Sequence, residues 1–248
     1  MGYDVLNRLV DENSLFSYEY DEIGNRLLKD NTDYLYTPDN QLTSVDKNDF
    51  SYDEAGNTTA EGKHGYQYND QGILSDYSWS KKVKASYIYN GFGQRIEKII
   101  GNKSITFDYD PNGQLISEEI YIHSVKKESR EIIWLANRPI AQVVTKFSKK
   151  KSKSEIFYIH VDHLNTPRLM TDDNQTIVWK WESDAFGLGK PDQDPDGDGN
   201  DTIINLRFPG QYYDKESELH YNYFRYYNPR IGRYITSDPI GIKGGMNT

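Results

Sequence analysis

Aromatic and polar positions alternate along the first half of the chain. Phe16, Tyr18 and Tyr20 are separated by Ser17 and Glu19, and Ile105, Phe107 and Tyr109 by Thr106 and Asp108. A period of two places every second side chain on one face of a β-strand. The runs also recur: Tyr20, Tyr36, Tyr52 and Tyr68 close successive runs at a period of 16, and Tyr89 and Tyr109 continue it at spacings of 21 and 20. A fixed period of this kind marks one supersecondary unit stacked on copies of itself. The short unit has no room for a crossover helix, so its strands must be antiparallel.

A four-residue turn follows each closing tyrosine. The stretches 21–24, 53–56, 69–72, 90–93 and 110–113 all begin with Asp or Asn and end with Gly. The leading side chain can accept hydrogen bonds from its own backbone, and the last residue sits where a positive φ is wanted. Asn40 and Asn7 stand where two further units should have Gly, and Asn is the next residue best able to enter that conformation. The expected fold is therefore all-β, a stack of antiparallel hairpins forming a curved β-ribbon with an aromatic stripe on one face. Such a stripe serves packing or lines a carbohydrate groove. Packing is the expectation here, because sugar platforms need open rings.

The pattern changes from Glu131 onward, in "EIIWLANRPIAQVV". Residues 157–187 read as two strands joined by a turn at 171–175, the second strand running over 176–182. An acidic loop at 192–201 and a tyrosine-rich stretch at 205–241 follow. Two segments result, 1–125 with the repeats and 126–248 without them. The one basic run, Lys146 to Ser154, lies between strand-like segments and reads as a solvated hairpin tip rather than a polyanion contact.

Composition sharpens this picture. Of 248 residues only 36% are hydrophobic and the mean hydropathy is −0.83, yet 21 are Tyr. A disordered acidic chain would lack aromatics. Burial here must come from rings that each cover ~150–250 Å² while the hydroxyl finds a partner. The net charge of −9 argues against a coat for nucleic acid. The absence of cysteine excludes disulfides and thiolate metal sites, and no apolar run approaches the length of a membrane span. The start "MGYDVLNRLV" enters mid-motif and is no signal peptide, so an excised piece with an added Met-Gly is expected.

Seven turn phrases in register resemble the YD repeats of the rearrangement-hotspot (RHS) family. "DHLNTPR", "RFPGQYYD", "YNYFRYYNPRIGRY" and "SDPIG" resemble, in order, the RHS-associated core domain found in RHS toxins and Tc toxin C subunits. The resemblance implies a hollow spiral β-shell closed by the core domain, which holds a C-terminal toxin for delivery outside a bacterium. The implied partners are that toxin, the remaining repeats and a secretion apparatus. Two other readings stay open: a module that binds cell-surface glycans, and half of an aspartyl-type autoprotease. For the latter, Asp238 of Asp238-Pro239-Ile240-Gly241 and Arg233 match family positions. The second Asp-Pro-x-Gly of the family does not appear in the seven residues after Gly241. A dyad needs two carboxylates sharing a proton, so Asp238 and Pro239 equally suit a plain turn.

Two metal patterns complete the candidates. Asp194, Asp196 and Asp198 occupy positions 1, 3 and 5 of a calcium-type loop with Gly199 at 6, but position 12 is Asn205 rather than a bidentate Glu. Weak calcium binding and a solvated acidic loop both fit. His160, Asp162 and His163 suggest zinc, yet a strand would turn His163 away from the other two, and no third local ligand exists. A hydrogen-bonded strand end is expected.

Overall fold

The structure, a computed structural model, describes residues 1–238. Among the described residues there is no helix. Nineteen strands, from Gly2–Tyr3 to Ile177–Lys180, form one antiparallel meander in which every strand pairs with its neighbours in sequence. The first and last strands do not pair with each other, so this wall is an open sheet. A separate four-stranded sheet, Tyr212–Asp214, Leu219–Asn222, Arg225–Asn228 and Arg233–Tyr234, packs on the aromatic face of the wall.

The turn chemistry is as the repeats implied. Asp21 N–H donates to the Asn25 carbonyl, Gly24 N–H donates back to the Asp21 carbonyl, and Asp21 Oδ1 accepts from the Ile23 and Asn25 N–H groups. The same scheme closes the turns led by Asp4, Asp53, Asn69, Asn90 and Asp110, with Thr37 using its hydroxyl. Asn7 and Asn40 take positive φ of 59° and 66°, as the glycine at 24 does at 92°.

The repetition does not stop where the sequence pattern does. The strand Val125–Leu135 pairs with Leu115–Ile122 on one side and Arg138–Phe147 on the other, so one ladder passes through residues 125 and 126. Further on, Asp162, Asp172 and Asp184 lead three more copies of the turn, closed by Asn165, Gln175 and Gly187 at positive φ. Residues 157–187 consequently hold three strands where two were expected: the end of Ser152–Val161, then Pro167–Thr171 and Ile177–Lys180. "DHLN" is itself a turn, and the strand expected over 176–182 is shorter.

Each unit also carries a register irregularity at its closing tyrosine, as at Glu19/Tyr20, Leu35/Tyr36, Ser51/Tyr52, Ile88/Tyr89 and Asp108/Tyr109. A bulge bends its strand and adds right-handed twist. Repeated at the same place in every unit, it curves the sheet.

Tyrosines divide by role. The first of each unit is buried in the core: Tyr18, Tyr34 and Tyr66 are each 3% exposed. The second is half-buried, and from Tyr36 onward its hydroxyl ties its unit to the one before. Tyr36 donates to the Arg26 carbonyl, Tyr52 to Leu42, Tyr68 to Thr58, Tyr89 to Leu74 and Tyr109 to Arg95, at 2.6–2.9 Å. Every acceptor lies two residues past the positive-φ residue of the preceding turn. Trp134 continues the series beyond the tyrosine repeats, its indole N–H donating to the Leu115 carbonyl at 2.9 Å. Packing and tethering between units are what these rings do.

Gly72 isolates the backbone requirement from sterics, since its φ is +72° and a Cβ there would meet nothing within 4 Å. Gly72→Val is expected to lose ~1–3 kcal/mol through the strained dihedral alone. Gly72→Asn should lose clearly less. Urea midpoints of the two variants check this, and equal midpoints would contradict it.

Candidate functional site

Buried charge gathers where the small sheet meets the wall. Arg95, on the wall strand Arg95–Ile100, is wholly buried, as is Asp214 at the end of the first strand of the small sheet. Arg95 Nη1 donates to Asp214 Oδ2 at 2.5 Å, and Lys98 Nζ donates to Asp214 Oδ1 at 2.8 Å. Lys98 Nζ also lies 2.9 Å from Glu216 Oε1, close enough for ion pairing without hydrogen-bond alignment. Burial by itself would raise the Asp214 carboxyl. The charges of Arg95 and then Lys98 outweigh it and hold the carboxyl below its ordinary range.

Rings enclose this cluster. The Arg95 guanidinium lies 4.4 Å from the Tyr221 ring centroid, 4.8 Å from Phe107 and 5.1 Å from Tyr212, contacts that are worth more once desolvated. The Arg95 N–H donates to the Tyr221 hydroxyl at 2.9 Å, and the hydroxyls of Tyr89 and Tyr226 meet at 2.7 Å. Wall and small sheet thus share one polar network.

Two more links run along the same seam, and a third, Lys29 to Asp184, joins the second unit of the wall to the turn after its last strand. Tyr212 donates to Glu118 Oε2 at 2.6 Å, and Arg130 spans Glu118 and Glu128. Glu61 accepts from Asn228, from Arg230 and from Tyr66 at 2.9–3.2 Å. Lys29 pairs with Asp184 at 2.5 Å. Two histidines complete it. His64 stands beside Arg230 and the Tyr77 hydroxyl, and His220 Nδ1 lies 2.7 Å from Gln211 Oε1. Burial, reinforced by a neighbouring arginine, pushes His64 down to about 4 and His220 down to about 3. The carboxylates of Asp214, Glu118 and Glu61 at the seam, and that of Asp184 beyond it, each face a cation, and both imidazoles are neutral at pH 7. This arrangement clamps two sheets together.

The residues singled out from the sequence, Asn205 excepted, lie apart from the clamp. Asp238 Oδ2 sits 3.0 Å from Nη2 of Arg225, a residue that sequence spacing does not single out. The Arg233 guanidinium lies over the Tyr36 ring at 5.4 Å. Pro239, Ile240 and Gly241 fall outside the described residues. In the acidic loop, one carboxylate oxygen each from Asp194, Asp196 and Asp198 lies within 4.8 Å of the others. Those carboxylates also serve their own loop: Asp194 accepts from the Gly199 N–H and Asp198 from the Asn200 N–H. Asn205, at the twelfth position, donates to the Tyr212 hydroxyl at 2.8 Å, on the seam side. Asp162 leads a turn and holds Arg168 at 2.9 Å, while His160 Nε2 lies 3.1 Å from Thr171 Oγ1, the hydrogen-bonded strand end that was expected.

The comparisons with known proteins fit this architecture. The family model described as teneurin YD-shell matches residues 2–243. Among curated relatives, toxin protein Tse5 of Pseudomonas aeruginosa is 26% identical over 204 residues, covering 71% of this chain and 15% of Tse5. Double-stranded DNA deaminase toxin A of Burkholderia cenocepacia is 27% identical over 223 residues, covering 73% of this chain and 16% of that protein. The chain thus spans about a sixth of the length of these relatives. Among solved structures, the Photorhabdus luminescens Tc holotoxin pore superposes with a TM-score of 0.59 at 18% identity, over 99% of this chain and 17% of the other. That likeness is one of fold.

Two predictions follow the charges. An unfolded histidine titrates near ~6.5, whereas His220 in the folded protein stays neutral down to about 3. Between these values the unfolded state binds the extra proton, so stability is full above the upper value and falls as pH drops through the window. Urea titrations at pH 7, 5.5 and 4 should show a steeper loss for the native protein than for His220→Gln; parallel loss would refute the assignment. At the acidic loop, calcium, if bound at all, should bind weakly, because three carboxylates crowd together without a bidentate twelfth ligand. Calorimetry returning submicromolar affinity, or binding unchanged by Asp196→Ala, would contradict it.

Proposed function

Because the chain belongs to the teneurin YD-shell family and is an RHS/YD-repeat protein, we propose that it is the wall-and-plug segment of a hollow shell whose parent encloses a toxin domain. In this reading the parent is delivered outside the producing bacterium; two of its relatives, Tse5 and the double-stranded DNA deaminase toxin A, are toxins. The wall grows by adding hairpins, and the small sheet covers its aromatic face. The observation that carries the reading is the Arg95–Asp214–Lys98 cluster, fully buried between the two sheets. Burying three charges is costly unless geometry and pairing are good, and here the pairing joins elements 116 and more residues apart.

The first unit supports partners of the same kind. Val5 is 99% exposed, Leu15 72% and Tyr3 58%, a ragged apolar end that a preceding hairpin of the parent would cover. The glycan alternative is less well supported. Tyr20, Tyr36, Tyr52 and Tyr68 are all half-buried, and the last three spend their hydroxyls on backbone carbonyls. The autoprotease reading keeps Asp238 as one of the two acids, with Arg225 paired to it at 3.0 Å. A second carboxylate from the parent chain would complete the dyad.

One experiment tests both. The parent protein is expressed intact, with Asp214→Asn and with Asp238→Asn, and each is treated with trypsin and followed on gels. Removing one partner of a buried ion pair costs about 3–5 kcal/mol. The toxin domain should therefore resist trypsin in the native parent and become accessible in Asp214→Asn, while Asp238→Asn should stop self-cleavage and keep protection. Equal digestion in native protein and Asp214→Asn would overturn the plug assignment. Unaltered self-cleavage in Asp238→Asn would overturn the protease role.

A further inference from the structure

A cleft lies away from the clamp, between the row of repeat turns and the end of the small sheet. Its volume is about 480 Å³, in the range of ligand sites rather than of single buried waters. Three arginines line it, Arg26 from the second unit and Arg225 and Arg233 from the small sheet, together with the phenols Tyr20 and Tyr36. Asp39 is the one acid among the lining residues, and it is exposed.

The three guanidiniums are not equally satisfied. Arg225 is paired with Asp238. Arg26 is 6% exposed, and among the described residues no carboxylate pairs with it; its planar group lies 3.9 Å from the Phe186 ring centroid and its Nε has no hydrogen-bond partner. Arg233 likewise lacks a carboxylate among the described residues, and its Nη1 is without a partner. Burying an unpaired guanidinium is expensive, and ring contacts recover part of that cost. The backbone also makes room for this arrangement. A Cβ on Gly232, whose φ is +68°, would strike Arg26 Nη2 and Phe186, so only glycine lets the guanidinium pass at that point.

We infer that this cleft is an oxyanion-binding site, in which Arg26 and Arg233 receive a carboxylate or phosphate. Guanidinium forks match both groups bidentately, and the rings of Phe186 and Tyr36 flank the two guanidiniums. The carboxylate could belong to a peptide segment lying along the turns, and the phosphate could be free; the chemistry at the two arginines is the same. No reaction is involved, and the assignment is independent of whether the parent encloses a toxin.

Calorimetry on the intact chain tests it with three probes: inorganic phosphate, the peptide acetyl-Ala-Ala-Asp-Ala-amide, and its Asn counterpart. Saturable binding of phosphate or of the Asp peptide is expected, with the Asn peptide at least tenfold weaker. Arg233→Gln should weaken the binding probe at least tenfold while the ligand-free melting curve stays cooperative. Arg26→Lys keeps the charge but loses the fork, and should also weaken it. Phosphate binding alone assigns the site to a free anion, and Asp-peptide binding alone to a peptide carboxylate. No saturable binding by either probe would overturn the inference, as would equal binding of the Asp and Asn peptides without phosphate binding, or undiminished binding in Arg233→Gln. Should Arg26→Lys fail to fold, Arg233→Gln decides.

Discussion

A buried phenol must find a hydrogen-bond partner, and this constraint organises the whole chain. A wall built from tyrosines with so few aliphatic residues buries large rings whose polar ends, that of Tyr87 excepted, find partners. From Tyr36 onward the closing tyrosine of each unit solves the problem by donating to a carbonyl of the unit before it. A net contribution of roughly 1 kcal/mol per bond is modest, but it recurs at every step and fixes the stacking distance. Because the acceptor always stands at the same offset from the preceding turn, the turn and the tether depend on each other. The bulge at the same tyrosine then turns a flat ribbon into a curved one.

The small sheet meets the same constraint differently. Its tyrosines face the wall tyrosines, so hydroxyls meet hydroxyls, as at Tyr89 and Tyr226, or carboxylates, as Tyr212 meets Glu118. Charges placed inside such a network gain partners that a hydrocarbon core could not supply. Apolar residues of similar volume often stabilise a fold as well as a buried ion pair does. What the pairs at Asp214 and Glu61 add is register, since a sheet displaced by one residue would leave buried charges unpaired. For a plug that must seat in one place on a long repetitive wall, that selectivity matters more than net stability. A repetitive surface otherwise offers many equivalent seats.

Alternation, the 16-residue period and the Asx-led turn were legible in the sequence, and they determined the all-β meander, because each is a local matter of dihedral angles and of side chains reaching their own backbone. Asn7 and Asn40 were readable as glycine substitutes for the same reason. The three later turns led by Asp162, Asp172 and Asp184 use that chemistry too, but without tyrosines at the usual spacing the period was lost and only one of them was expected as a turn. Trp134 in a tyrosine's place hid the continuing tether. The clamp was not legible. Arg95, Lys98, Glu118 and Glu61 sit on strands where charge ordinarily marks the solvent face, and only the seating of the small sheet buries them. Their partners lie up to 169 residues away, and nothing local in "QRIEK" or "YYDKE" specifies that they meet. Tertiary structure likewise put Arg225, rather than a residue nearer in sequence, on Asp238, and brought Arg26 to the cleft it shares with Arg233. Local chemistry determined how the chain turns; long-range packing decided which charges face each other, because the energy of a buried charge depends on what covers it.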